Sequence, residues 1–460
     1  MSPARTPILI GIDLGTTSFK AIATDIDGVI LGQAGESTPW IVEENGNVHA
    51  EIGDFVDAAV RVMAQAAERC PTPVEVLGIG ITGMAETGVI VDASGTAVTP
   101  AIAWYDQRGA EEFAALPQKF RTEFQAVTGL AAKAECSFSK LLWLTTHGFA
   151  ITPGMCWANA LEYVAYALTG ALFTEPSLAS RTGLLDQSTV APWSRTLSMI
   201  GADSSFVPDM RPAGVSFGRA HEDAPAILRN AYVTVAGHDH LVGSVGAGAI
   251  GGDDLYDSCG TAEVILRTLP RTLTNDERAA LVASGLSAGR HVLPESTAIL
   301  GATRSGLVLG RVLSMLGAHT HEERARISEA WTPEWKQNGT VVVSEPGNWT
   351  NEVTVQLRDD TRPEDVWCAA MDYVLAETRA LVRPITAVAG EYTSAVAAGG
   401  WAHVPGVARG KAHIFPGLQV SEHLQPGARG ACLFAAEAAG LSLAHPEFAH
   451  ARTTPTKEFI

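Results

Sequence analysis

The stretch Ile8 to Lys20, ILIGIDLGTTSFK, decides how the rest of the chain is read. Its apolar run, Ile8 to Ile12, predicts a buried strand ending on Asp13. Leu14-Gly15-Thr16-Thr17 then supplies a glycine turn with two hydroxyls, and Phe19 to Thr24 starts a second strand. Asp27-Gly28 is a type I′ hairpin signal, with a third strand at Val29-Ile30-Leu31. A carboxylate at a strand end, beside backbone N–H groups and hydroxyls, can hold a hydrated Mg²⁺ against a polyphosphate. Turn chemistry alone is equally served by an ordinary hairpin with a solvated Asp.

Working outward, 460 residues suffice for two or three domains with substantial cores. The net charge of −18 argues against nucleic acid and anionic membrane as partners, though not against a local phosphate site. The segment Met1 to Thr6 lacks the apolar region of a secretory signal, and no window reaches the uninterrupted apolar length of a membrane span. Cys70, Cys136, Cys156, Cys259, Cys368 and Cys432 are scattered without a CxxC pair. Reduced thiols, a cytoplasmic location and no zinc site are therefore expected. The sequons at Asn338 and Asn348 then carry no meaning.

Further along, Gly53 to Cys70 has helical spacing, with Phe55, Val56, Ala59, Val60, Met63, Ala66 and Ala67 on one face. Leu77 to Thr82 predicts a buried strand, and Val89 to Asp92 with the Ser94-Gly95 turn another hairpin. Residues 109 to 170 read as mostly helical. The second half returns to the opening theme, since Tyr256 to Leu266, YDSCGTAEVIL, is again an Asp, a Gly-Thr turn and a β run. Two such hairpins suggest two similar lobes facing one cleft. Val341 to Ser344 reads as a strand, Pro363 to Ile385 as a helix, Ser394 to Ala398 as a strand entering Gly399-Gly400, and Gly430 to Gly440 as a small-residue helix.

Val235 to Gly248, VAGHDHLVGSVGAG, predicts a strand that ends at Gly237, presents Asp239, and enters a helix lined with small residues. An Asp there also serves as an ordinary helix cap, but a cap does not require small residues at 243, 244, 246, 247 and 248. His238 and His240 share a face on an extended strand and could reach one metal ion with Asp239; no further ligand cluster is visible.

Taken in order, these pieces resemble the FGGY carbohydrate kinases of the actin-like ATPase superfamily, including xylulokinases and glycerol kinases. Gly11 to Ser18 looks like the first phosphate loop, and Ile81-Thr82-Gly83 with Val89 to Asp92 like the sugar-side strand and hairpin. Trp104-Tyr105-Asp106-Gln107-Arg108 is close to the family's tryptophan-aspartate-glutamine-arginine segment. Lys140 to Leu144 and Ala179 to Thr182 also match. Gly237-His238-Asp239 is similar to the catalytic-aspartate loop in the form seen in some deoxyketose kinases. Gly260-Thr261 resembles the second phosphate loop, and Ala398-Gly399-Gly400 the adenosine-side glycines.

The resemblance implies an α/β protein of two actin-like, ribonuclease H-like lobes, roughly 1–246 and 247–460. Each would be a mixed β-sheet flanked by helices, with the active site in the cleft between them. It implies ATP and Mg²⁺ as cofactors, and a small sugar or polyol as acceptor. Asp239 would be the base for the acceptor hydroxyl and Asp13 would organise Mg²⁺. Gly15, Thr16, Thr17, Gly260 and Thr261 would cradle phosphates; Gly399 and Gly400 would lie against adenosine. Trp104 and Asp106 would shape the sugar pocket, Asp106 taking hydroxyls. A homodimer is left open.

The chain departs from the xylulokinase pattern at Met84-Ala85-Glu86, where Glu86-Thr87 resembles glycerol kinases but Ala85 stands where they carry arginine. Asn47 to Glu51 departs from the usual acidic segment, and no Gly-Glu-Arg loop is recognisable near Ser344 to Gly347. The expected activity is phosphorylation of a ketose, such as a pentulose or tetrulose, or of a small polyol. Glu86, with Asp239, would fix a vicinal diol of that acceptor. The alternatives are a glycerol-kinase-like enzyme, a non-catalytic nucleotide-binding sensor on the same fold, and a metal hydrolase built on His238, Asp239 and His240.

Overall fold

A computed structural model describes residues 5–337, 339–343 and 353–441. The readings at Asn338, Ser344 to Gly347 and Asn348 lie outside the described residues. No described helix is long and apolar enough to cross a membrane, and all six cysteines are free.

The chain forms two compact units. One comprises the residues up to Gly246, Pro270–Ala298 and the segment from Gly427; the other comprises Ala247–Leu269 and Ile299–Pro426.

The first unit is built on the opening stretch. Strands β1 (Thr6–Leu14), β2 (Ser18–Asp25) and β3 (Ile30–Ser37) form an antiparallel meander. Helix α1 (Ile52–Glu68) then leads to β4 (Val74–Gly83), and the short helix α2 (Pro176–Ala179) precedes β5 (Tyr232–His238) and α3 (Asp239–Gly246). β4 runs parallel to β1, and β5 parallel to β4. Period-two alternation along β1 gives each face its own partner. Ile8, Ile10 and Ile12 join Phe55, Ala59 and Val62 of α1 in one core, while Leu9 belongs to a second cluster on the other face. The register sets Asp13 beside Thr82, and Thr82 beside Gly237. The carboxyl ends of three neighbouring parallel strands therefore deliver Asp13, Gly83 and Asp239 to one edge.

The second unit repeats this plan. β6 (Asp254–Cys259) is antiparallel to β7 (Glu263–Leu269), and β8 (Thr297–Thr303) lies on the far side of β7. Helices α4 (Ser305–Met315) and α5 (Pro363–Ala389) follow, then β9 (Ser394–Ala398), α6 (Pro405–Ile414) and β10 (Gln419–Val420). β9 is parallel to β6 and to β10. β6 thus holds the place of β1, β7 that of β2, and β9 that of β4. The hint of duplication between Asp13 and Asp257 is matched by sheet order.

Helix α7 (Pro426–Ala438) returns to the first unit and covers the Leu9 face. It fits because Gly11, Gly78 and Gly80 leave no side chain in its path. A Cβ on Gly80 would lie 1.9 Å from the Ala431 carbonyl oxygen, and one on Gly11 1.9 Å from that of Ala428. The division at residue 246 expected from sequence therefore does not follow the packing: α7 and residues 270–298 belong with the first unit. The hairpin expected at Val89 to Asp92 forms across the Ser94-Gly95 turn, with Val91 bridging Ala97 and the Val98 N–H donating to the Ile90 carbonyl, and Gly88–Val91 pairs in addition with Cys156–Asn159.

Candidate active site

Asp13 is half-buried at the end of β1, and its Oδ1 has no hydrogen-bond partner among the described residues. Burial, and next the charge of Asp239, push its carboxyl up to about 7. The glycine turn beside it is braced from outside. Thr38 Oγ1 donates to the Gly15 carbonyl at 2.7 Å, Trp40 Nε1 to the Thr16 carbonyl at 2.7 Å, and Trp104 Nε1 to Thr16 Oγ1 at 2.9 Å. Trp104 also donates its backbone N–H to Thr87 Oγ1 at 2.9 Å, tying the turn to the Glu86 loop. Thr17 is exposed.

Asp239 opens α3, and the peptide before it is tightly fixed. Thr82 Oγ1 donates to the Gly237 carbonyl at 2.7 Å, and the His238 N–H donates to Ser177 Oγ at 3.1 Å. Ser177 Oγ in turn donates to Glu175 Oε2 at 2.5 Å. Gly237 sits at φ 108°, and a Cβ there would lie 2.5 Å from Ser177 Oγ, so both conformation and space call for glycine. The Asp239 carboxyl accepts from the His240 N–H at 2.7 Å, with a quarter of its side chain open to solvent. Burial, then the Glu86 charge, raise it to about 7 against the pull of that hydrogen bond and Arg181.

His238, Asp239 and His240 do converge. Burial lowers both imidazoles, His240 to about 4, so they are neutral at pH 7. His238 Nε2 lies 3.3 Å from Asp239 Oδ1, the oxygen that already takes the His240 N–H.

Glu86 is the strained residue of the site. Its φ is 58°, and Thr87 N–H donates to the Ala85 carbonyl at 2.6 Å, closing the rare left-handed γ-turn around it. Ser137 Oγ secures its carbonyl at 2.7 Å, and Arg181 Nε donates to its Oε1 at 2.7 Å. Burial raises its carboxyl and Arg181 counters it.

Asp106 does not fit the expectation that it takes sugar hydroxyls. Its buried carboxylate accepts from Val48 N–H at 2.6 Å and Arg108 N–H at 2.8 Å, and is gripped by the Arg108 guanidinium at 2.8 and 2.9 Å. Burial alone would raise it, but these bonds hold it below the usual carboxylate range. Asp106 fastens the Trp104 loop instead, aided by Lys140 Nζ on its carbonyl.

In the second unit, two glycine-bearing turns meet the start of α4. A Cβ on Gly399, at φ 100°, would lie 2.7 Å from the Cys259 carbonyl, and one on Gly306 would strike the Gly260 carbonyl. Leu307 N–H donates to the Thr261 carbonyl at 2.9 Å. Gly260, Thr261, Gly399 and Gly400 are thus neighbours, with Gly306 of α4 beside them. Behind the turn, Lys411 Nζ lies 3.1 Å from Asp257 and contacts Glu263 and Thr378 Oγ1. Sequence reading missed this buried set, and missed Gly306, Glu175, Ser177 and the role of Arg181. The local signal was modest: in Ser177 to Leu185 the polar residues Ser177, Ser180, Arg181 and Thr182 are mixed with small and apolar ones, which marks no site by itself.

Residues 8–246 match the FGGY family of carbohydrate kinases, N-terminal domain. The chain belongs to that family. It is 27% identical over 292 residues to a glycerol kinase of Thermococcus onnurineus, covering 61% of this chain and 58% of that protein. A xylulose kinase of Bacillus subtilis is 26% identical over 268 residues, covering 56% of this chain and 53% of its own length. The chain thus aligns with little more than half the length of these curated relatives. Over the whole fold it is similar to the gluconate kinase of Lactobacillus acidophilus (TM-score 0.85, 17% identity, 98% of this chain and 93% of that one). It is also similar to Plasmodium falciparum glycerol kinase with ADP (TM-score 0.84, 18% identity, the same coverages). The fold is that of the actin-like sugar kinases.

Proposed function

We propose that this protein is a cytoplasmic, ATP-dependent kinase that phosphorylates a hydroxyl of a small ketose or polyol. The observation that carries the reading is Asp239. It is a partly open carboxylate at a strand end, on a peptide fixed from two sides, with its pKa raised to about 7. A base poised near neutrality is suited to take the proton of an attacking hydroxyl. Asp13, two strands away on the same edge, has a buried oxygen without a partner among the described residues, which fits a hard divalent cation such as Mg²⁺. The ion, when bound, would offset phosphate charge. Gly15, Thr16 and Thr17 would take phosphate oxygens, as would Gly260 and Thr261 in the second unit; Gly399 and Gly400 would accommodate adenosine. Glu86 would accept from hydroxyls of the acceptor and Trp104 would cover its C–H groups. A glycerol-like polyol is the second reading of the acceptor: Glu86-Thr87 fits it, and two of the similar proteins are glycerol kinases.

A coupled ADP assay over a panel of ketoses and polyols tests the reading. Turnover on at least one, dependent on Asp239, is the expected result; ATP binding without turnover on any would leave the sensor alternative.

A further inference from the structure

Arg181 reaches Glu86 across a wide separation in sequence, and the way it does so leaves an opening. Its Nε donates to Glu86 Oε1 at 2.7 Å, and its Nη1 donates to Ser287 Oγ at 2.9 Å, both within the first unit. Among the described residues, the remaining amino group, Nη2, has no hydrogen-bond partner, and neither does Glu86 Oε2. Guanidinium geometry places Nη2 on the same fork as Nε, next to the carboxylate. A donor and an acceptor thus stand side by side, on side chains 19% and 9% exposed. The charges of Glu86 and Arg181 both act on Asp239 and His240, so the pair sits in the field of the proposed base. Ala85 contributes no group of its own.

We propose that Arg181 is a specificity-determining residue, and that with Glu86 it reads an α-hydroxy ketone. Glu86 Oε2 accepts from the hydroxyl while Arg181 Nη2 donates to the adjacent carbonyl oxygen. The inference rests on the kinase reading and names its acceptor class. A guanidinium can only donate, and a carbonyl oxygen can only accept, so the two satisfy each other completely. The hydroxyl of the reduced polyol at that position brings a proton that Arg181 cannot take, and burying an unmatched polar group is costly. Sites built on such matched groups discriminate strongly against the analogue.

The test compares each ketose with its own polyol: dihydroxyacetone with glycerol, erythrulose with erythritol, xylulose with xylitol. Wild-type protein, Arg181→Lys and Arg181→Met are assayed for kcat/KM, with thermal unfolding to establish that each is folded. Wild type is expected to prefer a ketose. Both variants are expected to lose at least tenfold more efficiency on that ketose than on its polyol, with KM for ATP unchanged. A purely structural role for Arg181 lowers both by one factor. Ser287→Ala frees the guanidinium without removing it and is expected to shift the ratio the same way by a smaller factor; it carries the test if the Arg181 variants do not fold. Equal losses, or a wild-type preference for the polyol, would overturn the proposal while leaving the kinase reading intact. A wild type inactive on every pair would overturn the kinase reading itself, and this proposal with it.

Discussion

Ser177 Oγ accepts the backbone N–H of His238 at 3.1 Å, so a buried serine holds the Gly237–His238 peptide, one residue ahead of Asp239. Glu175 orients that hydroxyl and also accepts from the N–H groups of Ser177 and Leu178. Ser177→Ala should leave the His238 N–H without a partner in the interior, at about 1–3 kcal/mol. We expect kcat to fall about tenfold, with KM for ATP unchanged, because the proposed base, Asp239, would move while its chemistry stays. Steady-state kinetics beside urea unfolding checks this. An unaltered kcat in a destabilised protein would make Ser177 a stability residue only.

Asp239→Asn should lower turnover by about 10²–10⁴, the usual contribution of a positioned base. Wild-type kcat/KM should climb as pH rises through about 7, because the carboxyl that burial and Glu86 keep protonated must first ionise. The Asn variant should lose that limb. A variant with near-normal turnover, or one retaining the limb, would remove Asp239 from the reaction.

How much of this was legible depends on range. Strand β1, the glycine turn and the Asp239 loop each announce themselves within a few residues, because turn chemistry and apolar runs are local signals. Asp106 was misread although its partner Arg108 is two residues away: a carboxylate beside a guanidinium in sequence says nothing of whether lone pairs remain free. Arg181 and Glu86 meet through the tertiary fold alone, and Glu86's γ-turn has no composition cue. Helix α7 was assigned to the wrong half because its docking code is an absence of side chains, on Gly11, Gly78 and Gly80, matched by small residues at the other end of the chain.

That docking code can be tested by adding one methyl group. Gly80→Ala would put a Cβ 1.9 Å from the backbone oxygen of Ala431, and a helix backbone cannot rotate aside as a side chain can. We expect a loss of about 1–3 kcal/mol or more, by forced displacement of α7. Gly53→Ala is the internal control. It lies in α1 with nothing within 4 Å of the added atom, so it should stabilise by about 0.4–1 kcal/mol. Urea midpoints of the two variants should move in opposite directions; a harmless Gly80→Ala would mean α7 is not seated on β4.

Glu162 supplies a prediction about pH and stability. Its buried carboxylate accepts from Thr174 Oγ1 at 2.7 Å, Glu175 N–H at 2.8 Å and Asn159 N–H at 2.9 Å, yet burial outweighs these bonds and raises it from 4.5 to about 7. Between those values the unfolded chain has released its proton and the folded one has not. The native state therefore binds more protons, and stability falls as pH rises. The contribution is fully present below about 4.5 and lost by about 7, amounting to roughly 3 kcal/mol at 1.36 kcal/mol per unit. Burial lowers His240 to about 4 and His291 to about 3, which acts oppositely, adding stability as pH rises towards 6.5. Those terms are common to wild type and Glu162→Gln and cancel in the comparison. Urea unfolding of both proteins from pH 4.5 to 8 should therefore show the wild type losing ground to the variant up to about pH 7 and holding parallel above it. Curves parallel throughout would mean that Glu162 is ionised in the native protein, and that its three hydrogen bonds outweigh its burial.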